Sequence, residues 1–203
     1  MIISILLSIL FNETDIIKEA QSGSLSAFNR LVMAYQTLAY NVAYRIMGNG
    51  DAASDACQDS FVKAFKSIGQ YRGGSFKSWL MRVVTNTCYD HLRYQKRRPA
   101  SSLEDLTEES EDSHDKLVSE AELPEDTVLR GELGDLLQRA INNLPEDQRV
   151  VLVLSDVQKF SYQEIADMTD QRLGTIKSRL NRARRRVRDY LLAHQELLPS
   201  QYR

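Results

Sequence analysis

Residues 161–188 read SYQEIADMTDQRLGTIKSRLNRARRRVR, and this stretch decides how the rest of the chain is to be read. Ser161 followed three residues later by Glu164 is a capping box, in which hydroxyl and carboxylate each satisfy a free backbone N–H at a helix start. Ile165, Ala166 and Met168 give that short helix an apolar side. A break at Thr169-Asp170-Gln171 follows, and Gly174-Thr175 is expected to open a second, longer helix. Stepping about 100° per residue along it places Ile176, Leu180, Ala183, Val187 and Leu191 in one stripe. Lys177, Ser178, Asn181, Arg182, Arg185 and Arg188 fall on the other side. Between Arg172 and Arg188 there are eight basic residues and no acidic one. A solvated amphipathic helix is the plain alternative, but cap, turn, small Ala166 and basic face coincide in helix-turn-helix order. Short polar side chains reach base edges in a major groove while flanking cations hold phosphates, so DNA is the expected ligand of this face.

Working outward, the chain has the composition of a folded helical protein. It has 203 residues, 42% of them hydrophobic, with only 4 Pro and 9 Gly, which excludes disordered and fibrous classes. Few segments alternate with period two, so the expected class is all-α. A formal net charge of −2 conceals a sharp partition: residues 1–98 carry 12 basic and 7 acidic groups, 99–131 carry 2 and 11, and 132–203 carry 12 and 10. Two basic-leaning parts thus flank an acidic strip. Cys57 and Cys88 sit inside helical patterns without a Cys or His at metal-ligand spacing, which points to reduced, buried thiols and a cytoplasmic setting rather than a zinc site or disulfides. No metal or other cofactor is expected.

Just before the opening stretch, Leu133, Leu136, Leu137, Ala140, Ile141 and Leu144 form a helical pattern ending at Pro145. LPEDQR then launches a helix through Val150, Val151, Leu152, Leu154 and Val157. Four helices from 132 to 195 therefore make a compact DNA-binding domain with the helix-turn-helix as its second half and a short tail, 196–203, behind it. The strip 99–131, rich in acids and Ser, is expected to be a flexible linker.

The N-terminal half, 1–98, reads as a second helical domain. From Asn12 to Gly48 apolar residues repeat at three and four, and Gly48-Asn49-Gly50 ends the pattern. Asp51 is the expected cap of the next helix, DAASDACQDSFVKAFKSI, on which Asp55, Gln58 and Asp59 share one polar face. The loop GQYRGGS leads to FKSWLMRVVTNTCYDHLRYQKRR, where Tyr71, Arg72, Phe76, Lys77, Trp79, Arg82, Asn86, Tyr89 and Tyr94 interleave aromatics with cations and amides. Rings that stack on bases beside cations that hold the backbone are what unpaired DNA requires. The first eleven residues, MIISILLSILF, lack a preceding basic residue and fall short of the ~20 needed to span a bilayer. They are expected to be an added segment packing on the domain or a partner, with an incorrect start codon or weak membrane association as alternatives.

Taken together, DAASDACQDSFVKAF, FKSWLMRVVTNTCYDHLRYQKR and LPEDQRVVLVLSDVQKFSYQEIADMTDQRLGTIKSRLNRARRR resemble an RNA polymerase sigma factor of the extracytoplasmic-function (ECF) group, over about Asp15 to Leu191. The resemblance implies a region 2 helical bundle joined by the acidic linker to a four-helix region 4, with Leu144-Pro145-Glu146 at the opening of the latter. It implies core RNA polymerase as a partner, through the beta-prime clamp helices and the beta flap, with Asp55, Gln58, Asp59 and Phe61 on the docking surface. It implies that Tyr71, Arg72, Ser75, Lys77, Asn86, Arg93 and Arg97 handle the single-stranded −10 element. It implies that Arg172, Thr175, Lys177, Ser178, Asn181, Arg182 and Arg185 read the duplex −35 element. Such proteins are stress-responsive and commonly held by an anti-sigma factor, and take no small-molecule substrate. The linker's charge suits either a path through polymerase's basic channel or an inert spacer.

Two rivals remain. A one-component repressor or activator would use the same C-terminal motif without binding polymerase, and would leave the face of Asp55, Gln58 and Asp59 without a purpose. A helical enzyme would need a catalytic constellation. The sequence offers no Gly-rich phosphate loop and no nucleophile with a placed base, since His91, His114 and His194 lack companions at useful spacing.

Overall fold

The computed structural model describes residues 13–97 and 124–197, with 124–132 as backbone only. The apolar segment 1–12 and most of the acidic strip lie outside the described residues. Among the described residues all regular structure is helical. The first half contains α1 (Glu13–Gln21), α2 (Leu25–Met47), α3 (Gly50–Ser67) and α4 (Phe76–Arg97). The second contains α5 (Pro124–Asn142), α6 (Glu146–Leu152), α7 (Tyr162–Thr169) and α8 (Leu173–Ala193).

The spine of the first half is α2. Its Ala39, Val42, Ala43 and Ile46 are fully buried, and α3 answers with Ala53, Ala56 and Ala64, also fully buried. Small side chains on both helices let the backbones approach closely, and Phe28 on Phe65, with ring centroids 5.0 Å apart, closes the far end. The single helical run expected from Asn12 to Gly48 is instead two helices. Gly23 adopts φ 96°, and Ser24 Oγ accepts the N–H of Ala27 at 3.2 Å to start α2. The periodicity hid this break because α1 buries Ile16, Ile17 and Ala20 against the same core.

Gly48 ends α2 in the left-handed conformation with φ 74°. The next cap is Asn49, not Asp51: Asn49 is extended and its Oδ1 accepts the N–H of Ala52 at 2.9 Å. Asp51 lies inside the first turn, where its charge faces the positive end of the helix instead.

In the second half, α5 begins at Pro124, inside the strip expected to be linker. Proline suits the first helical position and acidic residues suit the first turn, as Pro124-Glu125-Asp126 supply. α6 widens into a π turn over Val153–Val157, where Val153 and Leu154 are fully buried. Ile165, Ala166, Met168, Ile176, Leu180 and Ala183 then form a core that fixes α7 against α8, none more than 4% exposed.

The two halves pack on each other. At the C-terminal end of α2, Arg149 Nη1 donates to the Ile46 carbonyl at 2.7 Å, while its Nη2 donates to the carbonyls of Asn142 at 2.6 Å and Leu144 at 3.2 Å. Burial depresses the pKa of this guanidinium. Arg45 donates to Gln138 Oε1 at 2.9 Å, and a Cβ on Gly48 would lie 2.5 Å from Asn142 Oδ1. Along the other side, α4 lies against α7.

Candidate nucleic-acid interface

The capping box at the start of α7 is complete. Ser161 Oγ accepts the Glu164 N–H at 3.2 Å, and Glu164 Oε2 accepts the Ser161 N–H at 2.9 Å. The Ser161 backbone and hydroxyl contacts hold the Glu164 carboxyl below its ordinary pKa. The turn is made by Asp170 at φ 52°, a left-handed position that Asp tolerates better than most residues. Helical backbone resumes at Leu173, one residue before the expected Gly174, because the extended Arg172 completes the reversal.

On α8 the structure sorts the eight cations between Arg172 and Arg188, which sequence could not do. Arg184 grips Asp156 with two parallel bonds of 2.8 and 2.7 Å, which lowers the Asp156 pKa. Arg179 is paired with Asp147 at 2.9 Å and bonded to Gln171, and Arg188 is paired with Asp189 at 2.7 Å. Arg184 and Arg179 thus tie α8 to the α6 segment. Arg172, Lys177, Ser178, Asn181, Arg182 and Arg185 stay exposed and Thr175 is half-buried. Arg182 leans back on Ser178, donating to its carbonyl at 3.2 Å. Arg186 is exposed too; the sequence reading omitted it because the helical wheel alone does not rank neighbouring arginines. The expected duplex-reading set is therefore one continuous, accessible polar surface.

The expected single-strand set is dispersed over α4 and the loop before it. The Tyr71 ring packs edge-on against Phe76 and Trp79, with centroids 5.5 and 5.6 Å away, and its hydroxyl donates to the Gly74 carbonyl at 2.7 Å. Tyr71 thereby stiffens the loop and keeps only part of its ring open. Ser75 serves as the cap of α4, its Oγ accepting the Ser78 N–H at 3.1 Å. Arg72 and Arg97 are exposed. Asn86 and Arg93 line a cleft of about 470 Å³ shared with Asp147 and Arg179 of the second half. Lys77 sits with Nζ 4.8 Å over the Phe160 ring centre. Of the further aromatics in the mixture, Phe76 is 2% exposed and belongs to the core.

The third set lies on α3. Asp55, Gln58 and Asp59 are exposed and Phe61 is half-buried. Gln58 and Phe61 line a largely apolar groove of about 820 Å³ with Tyr40 and Tyr44 of α2 and Val157 of the second half. The expectation that His91 lacks a companion fails: its Nε2 lies 2.9 Å from Asp59 Oδ2. The pair joins α4 to α3 across 32 positions, a separation that local spacing cannot reveal. His194 stacks on Tyr190 with centroids 4.2 Å apart, and His114 lies outside the described residues.

The cysteines are free and buried. Burial pushes the Cys88 thiol up to about 12 and raises that of Cys57, so neither supplies a thiolate near neutrality. Among the described residues no group of three or more His, Cys, Asp or Glu is placed to hold a metal ion, and no helix is long and apolar enough to cross a membrane.

A helical pair of domains, one carrying an aromatic and cationic helix beside a polar helix face and the other a helix-turn-helix, is the architecture of sigma regions 2 and 4. The description "Sigma-70 region 2" matches residues 31–98, and "Sigma-70, region 4" matches residues 134–187. The ECF RNA polymerase sigma-E factor of Salmonella typhimurium is 36% identical over 173 residues, covering 85% of this chain and 90% of that protein. The ECF RNA polymerase sigma factor SigE of Mycolicibacterium smegmatis is 35% identical over 172 residues, and there the match covers 64% of the longer relative. Among solved structures, the sigma factor RpoE in its complex with the anti-sigma factor NepR from Bartonella quintana aligns with a TM-score of 0.64 at 26% identity, over 82% of this chain and 98% of that one. CnrH, in a complex with the cytosolic domain of CnrY, aligns with a TM-score of 0.61 at 23% identity over 88% and 96%, which supports the fold. The chain belongs to the ECF sigma factors, a family of transcription initiation factors.

Proposed function

We propose that this protein is a promoter-specificity subunit rather than an enzyme, and that it directs core RNA polymerase to a stress-responsive set of promoters. The single observation that carries the residue-level reading is the sorting of cations on α8. Arg179 and Arg184 are consumed by internal ion pairs, and Lys177, Ser178, Asn181, Arg182 and Arg185 are left as one accessible surface. Asn pairs bidentately with adenine edges and Arg or Lys with guanine edges, so Asn181, Lys177 and Arg182 read bases of the −35 element. Arg172, Thr175, Ser178 and Arg185 hold its phosphates.

Region 2, residues 1–98, binds polymerase through Asp55, Gln58, Asp59 and Phe61, which touch the beta-prime clamp helices, while region 4, residues 132–195, meets the beta flap. Tyr71, Arg72, Ser75, Lys77, Asn86, Arg93 and Arg97 then hold the unpaired non-template strand of the −10 element. Unstacking a base costs a few kcal/mol, and stacking on aromatic side chains returns about 1–3 kcal/mol per base. Bound to polymerase on DNA, the protein acts in the cytoplasm. The alignment to proteins solved with an anti-sigma factor and with CnrY supports a protein partner of that kind, for which the groove between Tyr40, Tyr44, Gln58 and Phe61 is the candidate seat.

The test is run-off transcription from a promoter library by purified protein plus core polymerase. Transcripts that require both components are expected. Tight operator binding by the protein alone, without core-dependent transcripts, would instead establish a one-component repressor or activator.

A further inference from the structure

The loop before α4, residues 69–75, is held by a side chain from the far end of the sequence of its domain. Gln21, the last residue of α1, donates from Nε2 to the Ile68 carbonyl at 3.1 Å and to the Tyr71 carbonyl at 2.9 Å. These two carbonyls bracket the single turn Ile68–Gln70 at the loop entrance. The Ile68 carbonyl also accepts the Tyr71 N–H at 3.1 Å, so both of its lone pairs are used and the turn is closed from within and from outside.

Burial sets the position of Gln21. Ile16, Ile17 and Ala20 fix α1 on the core, and the reversal at Gly23 ends the helix just beyond Gln21. The other end of α1 meets the same region by a different route. Glu13 accepts the Tyr35 hydroxyl, and the Tyr35 ring lies 5.6 Å from that of Phe76, on which Tyr71 and Trp79 pack. α1 is thus tied to the loop entrance and to the rings beside it.

Beyond Tyr71 the loop is open. Arg72, Gly73 and Gly74 are exposed, and the Tyr71 hydroxyl fastens the far side at the Gly74 carbonyl, 2.7 Å away. Gly73 and Gly74 adopt φ 102° and 92°, and among the described residues nothing comes within 4 Å of where their Cβ atoms would lie. The tip is therefore bare backbone beside one guanidinium, anchored on both sides. Two adjacent glycines lose much conformational entropy when they are ordered. A ligand that found the tip already shaped would be spared that cost.

We propose that Gln21 is a positioning residue for the −10 strand: by clamping the Ile68 and Tyr71 carbonyls it shapes the Arg72–Gly74 tip in advance for an unpaired base. Promoter discrimination then depends on a helix whose clamp lies 50 positions from the loop carbonyl it holds. This rests on the assignment of residues 69–75 to the −10 element.

The experiment uses the full chain assembled with core polymerase. The probes are a fluorescent −10 non-template oligonucleotide, from a promoter selected by run-off transcription, and the same oligonucleotide with single-base substitutions. Gln21→Met keeps the length and the neutral charge and removes the donor, with Gln21→Ala as its companion; circular dichroism verifies that both fold. Binding of the matched oligonucleotide should weaken by about three- to tenfold, the size of one net hydrogen bond. A substituted strand that does not engage the tip should lose less, so base preference should shrink at one position. Amide hydrogen exchange in the free chain should quicken over residues 69–75 and stay unchanged on α8. Unchanged matched binding would overturn the proposal, and so would an equal loss for matched and substituted strands, which is what a general brace of the fold would give. Arg72→Ala, run in parallel, separates the two possible failures. If it weakens binding and Gln21→Met does not, only the clamp is refuted; if Arg72→Ala also leaves binding intact, the assignment of the loop to the −10 element has failed, and the proposal with it.

Discussion

α4 and α8 are both long, cationic helices on small helical domains, yet α4 packs part of its length against the other domain and α8 is braced within its own. The difference lies in what their cations meet. On α8, Arg179 and Arg184 are paired with Asp147 and Asp156 within region 4, while Lys177, Arg182 and Arg185 stay exposed. On α4, Lys77 and Lys96 find their partners in the other domain. A charge that closes on its own domain braces that domain; a charge that closes on its neighbour braces the contact between the two.

The strongest way to separate the two faces is Leu180→Ala. Leu180 is 2% exposed in the core between α7 and α8, and truncation of a buried leucine costs about 2–5 kcal/mol. Region 4 is expected to unfold at lower temperature than region 2, followed by two-step melting in calorimetry, with −35 binding lost and −10 binding retained. A single concerted transition with both activities lost would mean that the domains fold as one unit.

Arg149→Ala acts on the closure itself. It strips the donor from the part-buried Ile46 and Leu144 carbonyls and the exposed Asn142 carbonyl, a loss of about 1 kcal/mol, at the lower end of the cost of orphaning an acceptor. Urea unfolding should show the loss, and scattering should show a larger radius of gyration in the absence of DNA. An unchanged radius would place the closure on the α4–α7 side alone.

On the open face, Asn181→Ala or Lys177→Ala should each reduce discrimination at an upstream base position by about 1–3 kcal/mol. Arg185→Ala should instead weaken all duplexes alike and lower the salt slope by about one. Uniform weakening by all three would make α8 a phosphate clamp rather than a reader.

Smaller effects come from the caps. Ser161→Ala removes the cap of α7 and should cost about 1 kcal/mol. The Glu164 carboxyl has its pKa lowered in the folded state by the Ser161 backbone and hydroxyl, so its contribution is present above the unfolded value and disappears as pH falls through the folded one. Wild type and Glu164→Gln should therefore differ in melting temperature near neutral pH and converge in acid below the ordinary glutamate range. Smaller again is His91→Ala, which frees Asp59 from its 2.9 Å partner and should weaken polymerase binding by about 0.2–1 kcal/mol, read in a core-binding titration.

How much of this was legible in the chain depended on the distance over which each feature is decided. The capping box of Ser161 and Glu164, the apolar seam of Ile176, Leu180 and Ala183, and the polar face of Asp55, Gln58 and Asp59 all lie within one or two helical turns. Short-range periodicity therefore exposes them. The cap at Asn49 was misplaced by two residues because Asn49 and Asp51 are both competent caps, and only backbone conformation chooses between them. The break at Gly23 was masked because the helices on its two sides bury residues in one core.

The sequence by itself determined that this is an all-α protein with a helix-turn-helix, a basic helix face and an aromatic, cationic partner domain, because helical amphipathicity and capping are written at spacings of three and four. Only the tertiary structure decided which cations are held in ion pairs and which stay exposed and unspent. It alone joined His91 to Asp59 and Arg149 to Ile46, and laid Glu146 and Glu164 over α4. Those choices pair residues tens of positions apart, and an ion pair or a cover exists only once packing has fixed both partners within about 3 Å of each other.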